Sequence, residues 1–170
     1  MRPLKPVIAL VCALTLASCA GNGSEAAHEP VKLELSVKAA STVNPDDQKR
    51  AAPIVVRIYE LKNADTFEEA DFFSLQDKDK TVLTDDLVMR DQFQLRPGES
   101  KTIRRKAAEA TTTLGVLAAY RDLPNSIWRA TWTLPATPSA AWYRRTPKVQ
   151  LTIDLDTSAI RITDARPQNK

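Results

Sequence analysis

Alternating apolar and polar residues predict strands along most of the chain. Residues 31–37 (VKLELSV) alternate with a period of two, so one face of this strand packs on a core and the other meets water. Residues 54–61 (IVVRIYEL) are β-branched and largely apolar, which is typical of a central strand. The same reasoning predicts a short last strand around Ile160 and Ile162, and further strands at 87–95, 100–105, 111–120, 127–133 and 148–155.

The period lengthens after the second of these strands, and residues 63–75 predict one amphipathic helix. Asp65 or Thr66 is the expected N-cap, and Glu68 or Glu69, three residues later, completes a capping box. The apolar face of this helix is expected to pack on the sheet, and it comprises Phe67, Ala70, Phe72, Phe73 and Leu75.

Turn signals separate the predicted elements. Residues 41–52 (STVNPDDQKRAA) are polar and contain a proline, so a loop joins the first two strands. The charged residues 77–80 (DKDK) predict a solvated surface turn. Pro97-Gly98 is typical of a type II turn, because proline presets φ and glycine accepts a positive φ. Gly115 lies inside a predicted strand, where it permits a bulge or a close backbone approach.

Together these elements predict a mostly β fold. Two antiparallel sheets pack as a β-sandwich, with a short helical insertion after the second strand. Strands and helices do not alternate along the chain, so a parallel sheet is not expected. The basic strand at 100–105 is expected at a sheet edge, where Lys and Arg discourage unwanted pairing.

The first eighteen residues have the parts of a secretory signal peptide. Arg2 and Lys5 supply positive charge, and residues 7–16 (VIALVCALTL) form an apolar run of ten. A membrane-spanning helix needs about 20 such residues, whereas a run of this length suits a signal peptide. Cleavage before Cys19 is expected, so Cys12 is lost with the signal peptide.

Leu16-Ala17-Ser18-Cys19 resembles the lipobox of bacterial lipoproteins, in which the cysteine thiol receives diacylglycerol and the new amino terminus is acylated. Several acyl chains on one residue anchor a protein firmly, because each buried CH₂ contributes about 0.8 kcal/mol. Aspartate after the cysteine favours the inner membrane, so Ala20 favours the outer membrane and its periplasmic face. The alternative is an ordinary signal peptide followed by an incidental cysteine.

The predicted organisation has four parts: a signal peptide at 1–18, the lipidated Cys19 with a flexible tether to residue 30, a β-sandwich at 31–165 and a tail at 166–170. Loss of Arg2 and Lys5 from the 24 basic residues leaves 22 against 21 acidic ones, so the mature chain carries +1. This charge excludes strong attraction for nucleic acid. The lipid occupies the one remaining cysteine, so neither a disulfide nor a thiol nucleophile is expected.

Catalytic and metal-binding signatures are absent from the sequence. His28, the only histidine, lies in the tether, so neither a Ser-His system nor a histidine metal cluster is expected. We therefore expect no enzyme activity, no cofactor beyond the covalent lipid and no small-molecule substrate. Two other classes stay open: a periplasmic module that binds a small ligand or glycan, and a cell-wall enzyme with two carboxylates facing each other across a cleft.

Aromatic residues cluster in the last third of the chain. Trp128 and Trp132 are four residues apart and share one face of a predicted strand, where core packing is favoured over a sugar platform. Residues 142–145 (WYRR) lie in a long loop. They are either interface residues, as exposed aromatic and Arg side chains often are, or packing over the end of the sandwich.

Four segments behind the lipobox occur in an order that resembles the TssJ family of type VI secretion lipoproteins, also called SciN or VasD. They are residues 53–62 (PIVVRIYELK), 70–75 (ADFFSL), 97–99 (PGE) and 114–123 (LGVLAAYRDL), and the resemblance covers roughly residues 50 to 155. It implies a transthyretin-like β-sandwich with an added helical element. It also implies a location at the outer membrane, exposed to the periplasm.

The resemblance further implies a partner, the periplasmic C-terminal domain of the inner-membrane protein TssM, in a membrane complex that also contains TssL. In the family, the loop between the first two strands is implicated in binding TssM. The corresponding residues here are 41–52, and the candidate contacts by position are Asn44, Asp46, Asp47, Lys49 and Arg50. The implied function is to help assemble the type VI secretion membrane complex.

Overall fold

The computed structural model describes residues 30–136 and 147–166, which fold into two four-stranded sheets that form a β-sandwich. The strands of these residues are β1 (Lys32–Ala39), β2 (Ile54–Leu61), β3 (Leu87–Leu95), β4 (Ser100–Lys106), β5 (Thr113–Ala118), β6 (Arg129–Thr133), β7 (Lys148–Leu155) and β8 (Ile160–Asp164). The predicted sandwich is confirmed, and the major strand boundaries differ from the predicted ones by at most two residues. The predictions for Cys19, the tether and residues 142–145 lie outside the described residues.

The first sheet has the strand order β4-β1-β7-β8, and the second has the order β3-β2-β5-β6. Neighbouring strands are antiparallel in both sheets, except that β1 and β7 pair in parallel. The expectation of purely antiparallel sheets is wrong at this pair, because alternation indicates which face of a strand is buried but not which way the strand runs. The basic strand β4 lies at a sheet edge, as predicted.

The inner faces of the two sheets form one hydrophobic core. Burial alternates along β1, where Leu33 and Leu35 are almost inaccessible and their neighbours are not. Burial in β2 extends to both faces, because Ile58 packs in the core between the sheets whereas Tyr59 and Leu61 pack in a second cluster with the helical insertion. A strand covered on both sides has no clean alternation, which explains the largely apolar sequence of β2.

Two helices, rather than the one predicted, cover the outer face of the second sheet: α1 (Asp65–Glu69) and α2 (Phe72–Leu83). The residue before α1, Ala64, makes no side-chain capping hydrogen bond, so the predicted capping box is wrong. Ala70 is extended and ends α1. Asp71 then begins α2, because its carboxylate accepts a backbone hydrogen bond at 3.0 Å from the first turn.

The split also changes the apolar face of the insertion. Phe67, Phe72 and Leu75 are buried in the second cluster, as predicted, but Phe73 is 62% exposed. The helical spacing from Phe67 does not continue through the break at Ala70, so Phe73 no longer shares the face that packs on the sheet.

Residues 77–80 belong to α2, so the predicted solvated turn is wrong, and Asp79 is only 4% exposed. Its Oδ2 accepts hydrogen bonds from Arg90 Nη1 at 2.6 Å and from the Tyr59 hydroxyl at 3.2 Å. Arg57 Nη1 lies 3.5 Å from the same oxygen. Arginines from two neighbouring strands thus offset the free-energy cost of burying this carboxylate, and the ion pairs connect α2 to the sheet.

Both glycine predictions are confirmed. Gly98 has a φ of 77°, and the N–H of Glu99 donates to the carbonyl of Arg96 at 2.9 Å, as in a type II turn. A Cβ atom added to Gly115 would lie 3.0 Å from Cε1 of Phe67. The close packing of α1 on β5 therefore favours glycine at this position, because a side chain there would press against the Phe67 ring.

The two ends of the sandwich carry different parts of the chain. The proximal end, where the described residues begin, includes Val31, residues 107–112 and Pro147. The distal end includes three loops, residues 41–52, 120–126 and 156–158, and the turn at 96–99. β1 runs from the proximal to the distal end, and its eight residues span about 25 Å. No helix among the described residues combines the length and apolar character that a membrane span requires.

Candidate functional site

The three loops of the distal end enclose a cleft of about 650 Å³. Its lining comes from all three loops and consists of Asn44, Pro45, Asp46, Asp47, Lys49, Tyr120, Arg121, Asp122, Asn125, Thr157 and Ser158. The first loop is the one that the sequence predicts to bind a partner. The cleft therefore brings the predicted site together with two loops that come from distant parts of the chain.

Asn44 joins the three loops. Its backbone N–H donates to the carbonyl of Thr157 in the third loop at 3.1 Å, and its Oδ1 accepts from the amide of Arg121 in the second loop at 2.8 Å. Its Nδ2 donates to the carbonyl of Pro53 at 2.8 Å. The residue is 4% exposed and has a φ of 50°, a region that asparagine adopts more readily than most residues. The amide side chain supplies, on two separate atoms, both the donor and the acceptor that this position uses.

Asp46 shapes the tip of the first loop. Its Oδ1 accepts hydrogen bonds from the backbone N–H groups of Gln48 and Arg50, both at 2.9 Å, and its Oδ2 accepts from Arg50 Nε at 2.8 Å. Lys49, whose φ is 64°, donates its N–H to the carbonyl of Asp46 at 2.8 Å. The hydrogen bonds from Arg50, its side chain first, hold the pKa of Asp46 below its usual value of 3.8. The carboxylate is therefore ionised, and the tip braced, at neutral pH.

The second and third loops are held by a buried tyrosine. The Tyr120 hydroxyl donates to the carbonyl of Asp156 at 3.2 Å, and burial raises the pKa of Tyr120 far above its usual value of 10.0. The hydroxyl is therefore a permanent donor rather than a proton acceptor. On the rim, Asn125 Nδ2 donates to Asp122 Oδ1 at 2.9 Å and steadies the second loop.

The structure separates the five predicted contact residues into two groups. Asn44 is buried, and the Asp46 carboxylate is engaged within the loop, so both shape the loop. Asp47, Lys49 and Arg50 are exposed, and the Arg50 side chain is 72% accessible despite its ion pair. A partner could therefore reach these three side chains, whereas Asn44 can affect binding only through the conformation of the loop.

Sequence reasoning missed the second and third loops as parts of the site. The hydrogen bond from Arg121 to Asn44 joins residues 77 positions apart, and no local pattern signals such a contact. The Pro124-Asn125 pair is typical of a turn and indicates a loop there. It does not indicate which other loop lies beside it.

The chemistry of the cleft is that of a polar contact surface. The lining contains the carboxylates of Asp46, Asp47 and Asp122 and the cations of Lys49 and Arg121. Within residues 30–136 and 147–166, no group of three or more His, Cys, Asp or Glu side chains could hold a metal ion. Mixed charges of this kind favour selective hydrogen bonding and ion pairing with a polar partner.

The tryptophans Trp128 and Trp132 do not line this cleft. Both are partly buried against the main core, as the strand pattern predicts. Trp128 also packs edge-on against Phe72 of α2, with ring centroids 5.3 Å apart. Trp128 therefore contributes to packing between the second sheet and the helices, whereas Trp132 packs against the core between the two sheets.

The sequence matches the model of one protein family over residues 31–158, the type VI secretion lipoprotein family described as VasD, EvfM and TssJ. None of the curated proteins matches the sequence significantly.

Solved structures show the same relationship. The type VI secretion lipoprotein TssJ1 from Pseudomonas aeruginosa is 38% identical with a TM-score of 0.73, over 82% of this chain and 99% of that chain. Serratia marcescens Lip, a membrane-bound component of the type VI secretion system, is 31% identical with a TM-score of 0.72, over 81% and 99%. A chain in a structure described as the TssM C-terminal domain from EAEC shares the fold, at 22% identity and a TM-score of 0.60, over 79% and 98%. The chain therefore belongs to the TssJ (VasD) family of type VI secretion lipoproteins.

Proposed function

We propose that this protein is an outer-membrane lipoprotein, anchored by lipid on Cys19, whose distal loops bind the periplasmic domain of TssM. In this role it helps to assemble the type VI secretion membrane complex, which also contains TssL, and it catalyses no reaction. Cleavage before Cys19 and the location on the periplasmic face of the outer membrane are parts of the proposal.

The observation that carries the proposal is the separation of the two ends. The exposed charges Asp47, Lys49 and Arg50 stand at the distal end, whereas the chain from Cys19 joins the sandwich at the proximal end. About 25 Å of β-strand lies between them. A lipid at one end and a binding loop at the other let one small domain connect the outer membrane to a protein that extends from the inner membrane.

The conformation of the first loop supports the same role. Asn44 and Asp46 hold the loop in one shape through hydrogen bonds of 2.8–3.1 Å. A loop that is already ordered loses little conformational entropy when a partner binds. The exposed charges of Asp47, Lys49 and Arg50 then set the specificity and the association rate more than the total affinity.

The descriptions of the related structures support a membrane-bound protein of the type VI secretion system that binds TssM. Serratia marcescens Lip is a membrane-bound component of its secretion system. A chain with this fold occurs in the structure described as the TssM C-terminal domain. We infer the same kind of partner for the distal loops of this protein.

The anchor is tested with the full chain expressed in a bacterium that processes lipoproteins. Mass spectrometry should show that the mature protein begins at an acylated Cys19. Membrane fractionation should recover the protein with the outer membrane. A Cys19→Ser variant, or treatment with globomycin, should abolish the acylation. Unchanged membrane fractionation of the Cys19→Ser variant contradicts the anchor.

The partner site is tested by a charge exchange that leaves the loop-shaping residues intact. Asp47→Lys combined with Lys49→Glu conserves the net charge, as does the matched control Lys38→Glu with Asp154→Lys, which exchanges two cross-strand neighbours on the first sheet. Calorimetry of the purified lipoprotein with the periplasmic domain of TssM should show affinity about tenfold weaker (~1.4 kcal/mol) for the loop exchange. The control should bind normally. Equal binding by both removes the first loop from the proposal.

The cleft itself favours one second candidate, a module that binds a small ligand or glycan. Its volume of about 650 Å³ falls within the range of ligand pockets. Its polar lining is less typical of such pockets. A thermal-shift screen with peptidoglycan fragments tests this candidate, which is supported only if a ligand stabilises the protein and Asn125→Ala removes the effect.

A further inference from the structure

A row of three lysines crosses the outer face of the first sheet at the proximal end. Lys32 of β1 lies opposite Lys106 of β4 on one side and opposite Lys148 of β7 on the other. All three side chains are exposed. The neighbours of Lys32 in β1, Val31 and Leu33, are buried in the core, so the lysine row lies on the solvent side of the sheet.

Like charges placed opposite each other on neighbouring strands destabilise a sheet. The next row toward the distal end consists of Arg104, Glu34 and Gln150. In it, Glu34 accepts hydrogen bonds from Gln150, from Arg104 Nε at 3.0 Å and from Lys148 Nζ of the first row at 2.8 Å. The Lys148 and Arg104 contacts lower the pKa of Glu34 to about 2. Even so, these two rows hold four cations and one carboxylate, a local charge of +3.

This charge is confined to the proximal half of the face. The third row consists of Ser36, Thr102 and Thr152, which carry no charge. The fourth row contains Lys38, Ser100, Asp154 and Arg161 of β8, and Asp156, which pairs with Arg161, brings the net charge to zero. A local +3 therefore stands out in a chain whose predicted mature form carries only +1.

Carboxylates accompany the cations in neighbouring parts of the proximal end, where Glu109 is exposed in the loop that follows β4. Asp164 and Arg166, where β8 ends, form an ion pair at 2.5 Å. In the second sheet, Lys62 lies beside the acidic turn that contains Asp85 and Asp86, because its backbone N–H donates to the Asp86 carbonyl. Among residues 30–136 and 147–166, the basic surface at this end is thus the one on the outer face of the first sheet.

We infer that the lysine row is a contact surface for the anionic phospholipid headgroups of the leaflet that holds the lipid anchor. The inference rests on the proposed lipidation of Cys19. Between Cys19 and Pro30 the chain reaches about 40 Å at most, so the row stays within reach of that leaflet. Each lysine near an anionic surface strengthens docking about fivefold (~1 kcal/mol), and three together strengthen it roughly 100-fold.

Docking through this row gives the sandwich a fixed orientation. The outer face of the first sheet at its proximal end lies against the membrane, and the distal cleft points away from it into the periplasm. The lysine row thus restricts the directions in which a protein on a short tether presents its partner-binding loops.

The test measures which face of the lipidated full protein lies nearer to the membrane. A donor dye is placed on Ser36→Cys, on the outer face of the first sheet, or on Gln76→Cys, on α2 at the opposite side. Each protein is reconstituted into vesicles of phosphatidylethanolamine with or without phosphatidylglycerol, with an acceptor dye on the headgroups. With phosphatidylglycerol, energy transfer should be stronger from position 36 than from position 76, and high salt should remove the difference.

The variant K32Q/K106Q/K148Q should lose this difference, because the docking equilibrium falls roughly 100-fold. The matched control K38Q/K78Q/K80Q removes three lysines that lie outside the row, one at the distal end of the same face and two on α2, and should keep the difference. Acylation is verified by mass spectrometry before reconstitution, so failure of the anchor is distinguished from failure of the lysine row. Equal transfer from both positions in an acylated protein, or an undiminished difference in the K32Q/K106Q/K148Q variant, overturns the inference.

Discussion

One buried polar side chain holds together the loops at each end of the sandwich, and the two side chains differ in charge. At the proximal end, Glu60 of β2 is fully buried. It accepts hydrogen bonds from Arg105 Nε at 2.7 Å, and from Ala108 N and Thr111 Oγ1 at 2.8 Å each. At the distal end, the neutral Asn44 joins three loops.

The hydrogen-bond partners of these two residues show which parts of the fold each residue connects. Arg105 comes from the first sheet and also pairs with Asp91 of the second, so the Glu60 network links the two sheets. Within the described residues, the buried Arg105 Nη2 makes no hydrogen bond. Among those residues, the network therefore has no additional acceptor for Arg105 if Glu60 is lost. Asn44 links only loops. Loss of Glu60 should therefore affect the whole fold, whereas loss of Asn44 should affect mainly the binding surface.

The largest effect is expected for Glu60→Gln. The substitution keeps the shape but removes a buried charge, which leaves Asp91 as the remaining carboxylate paired with the mostly buried Arg105. Breaking a buried ion pair in this way lowers the free energy of unfolding by about 3–5 kcal/mol. Urea denaturation followed by tryptophan fluorescence measures the change.

The control for Glu60→Gln is Glu34→Gln, which removes a partly exposed carboxylate paired with the exposed side chains of Arg104 and Lys148. Ion pairs near the surface contribute less than buried ones, so the urea midpoint should move much less than in Glu60→Gln. Similar destabilisation by the two variants would show that the Glu60 network does not hold the sheets together.

Asn44→Ala comes next. It leaves the Arg121 amide and the Pro53 carbonyl without their partners, which lowers the free energy of unfolding by about 1–3 kcal/mol. Affinity for the TssM domain should fall by tenfold or more, because the loop must then be ordered on binding. The control is Asn125→Ala, which changes an exposed asparagine of the second loop. If Asn44→Ala binds TssM with unchanged affinity, the loop does not need Asn44 for its shape.

A smaller effect is expected for Tyr120→Phe. It removes one hydrogen bond of 3.2 Å to Asp156 and keeps the buried ring. The free energy of unfolding should fall by about 1 kcal/mol, and TssM binding should stay normal. Weaker TssM binding by this variant would show that the position of the third loop, which Tyr120 holds through Asp156, also matters for binding.

The smallest effect is expected for the titration of Asp46. Its folded pKa lies below 3.8, so its stabilisation is fully present above pH 3.8 and is lost as the pH falls through the lower folded value. The amides of Gln48 and Arg50, which donate to this carboxylate, should keep their protection from hydrogen exchange from pH 7 to about 4. NMR measures this directly. Loss of protection between pH 7 and pH 5 would contradict the assigned role of Asp46.

The strands of this protein were predictable because alternation is a local signal. The major boundaries follow the sequence pattern to within two residues, and Gly98 and Gly115 occupy the positions that their backbone freedom predicts. The parallel pairing of β1 with β7 was not predictable in this way, because their direction depends on how the intervening chain crosses between sheets.

The helical insertion and the cleft show where local signals fail. The burial of Asp79 depends on Arg57 and Arg90, which lie in two other elements. The first loop of the cleft was identified from its position between the first two strands. Its neighbour at Arg121 was not, because Asn44 reaches it only in the folded chain.

The central claim is that the distal end meets TssM while the proximal end faces the membrane. A photo-crosslinking residue placed at Lys49 or at Lys106, in cells that assemble the secretion system, tests both ends with one readout. Our account predicts a crosslink to TssM from position 49 and none from position 106. Crosslinking to TssM from position 106 and not from position 49 would contradict it.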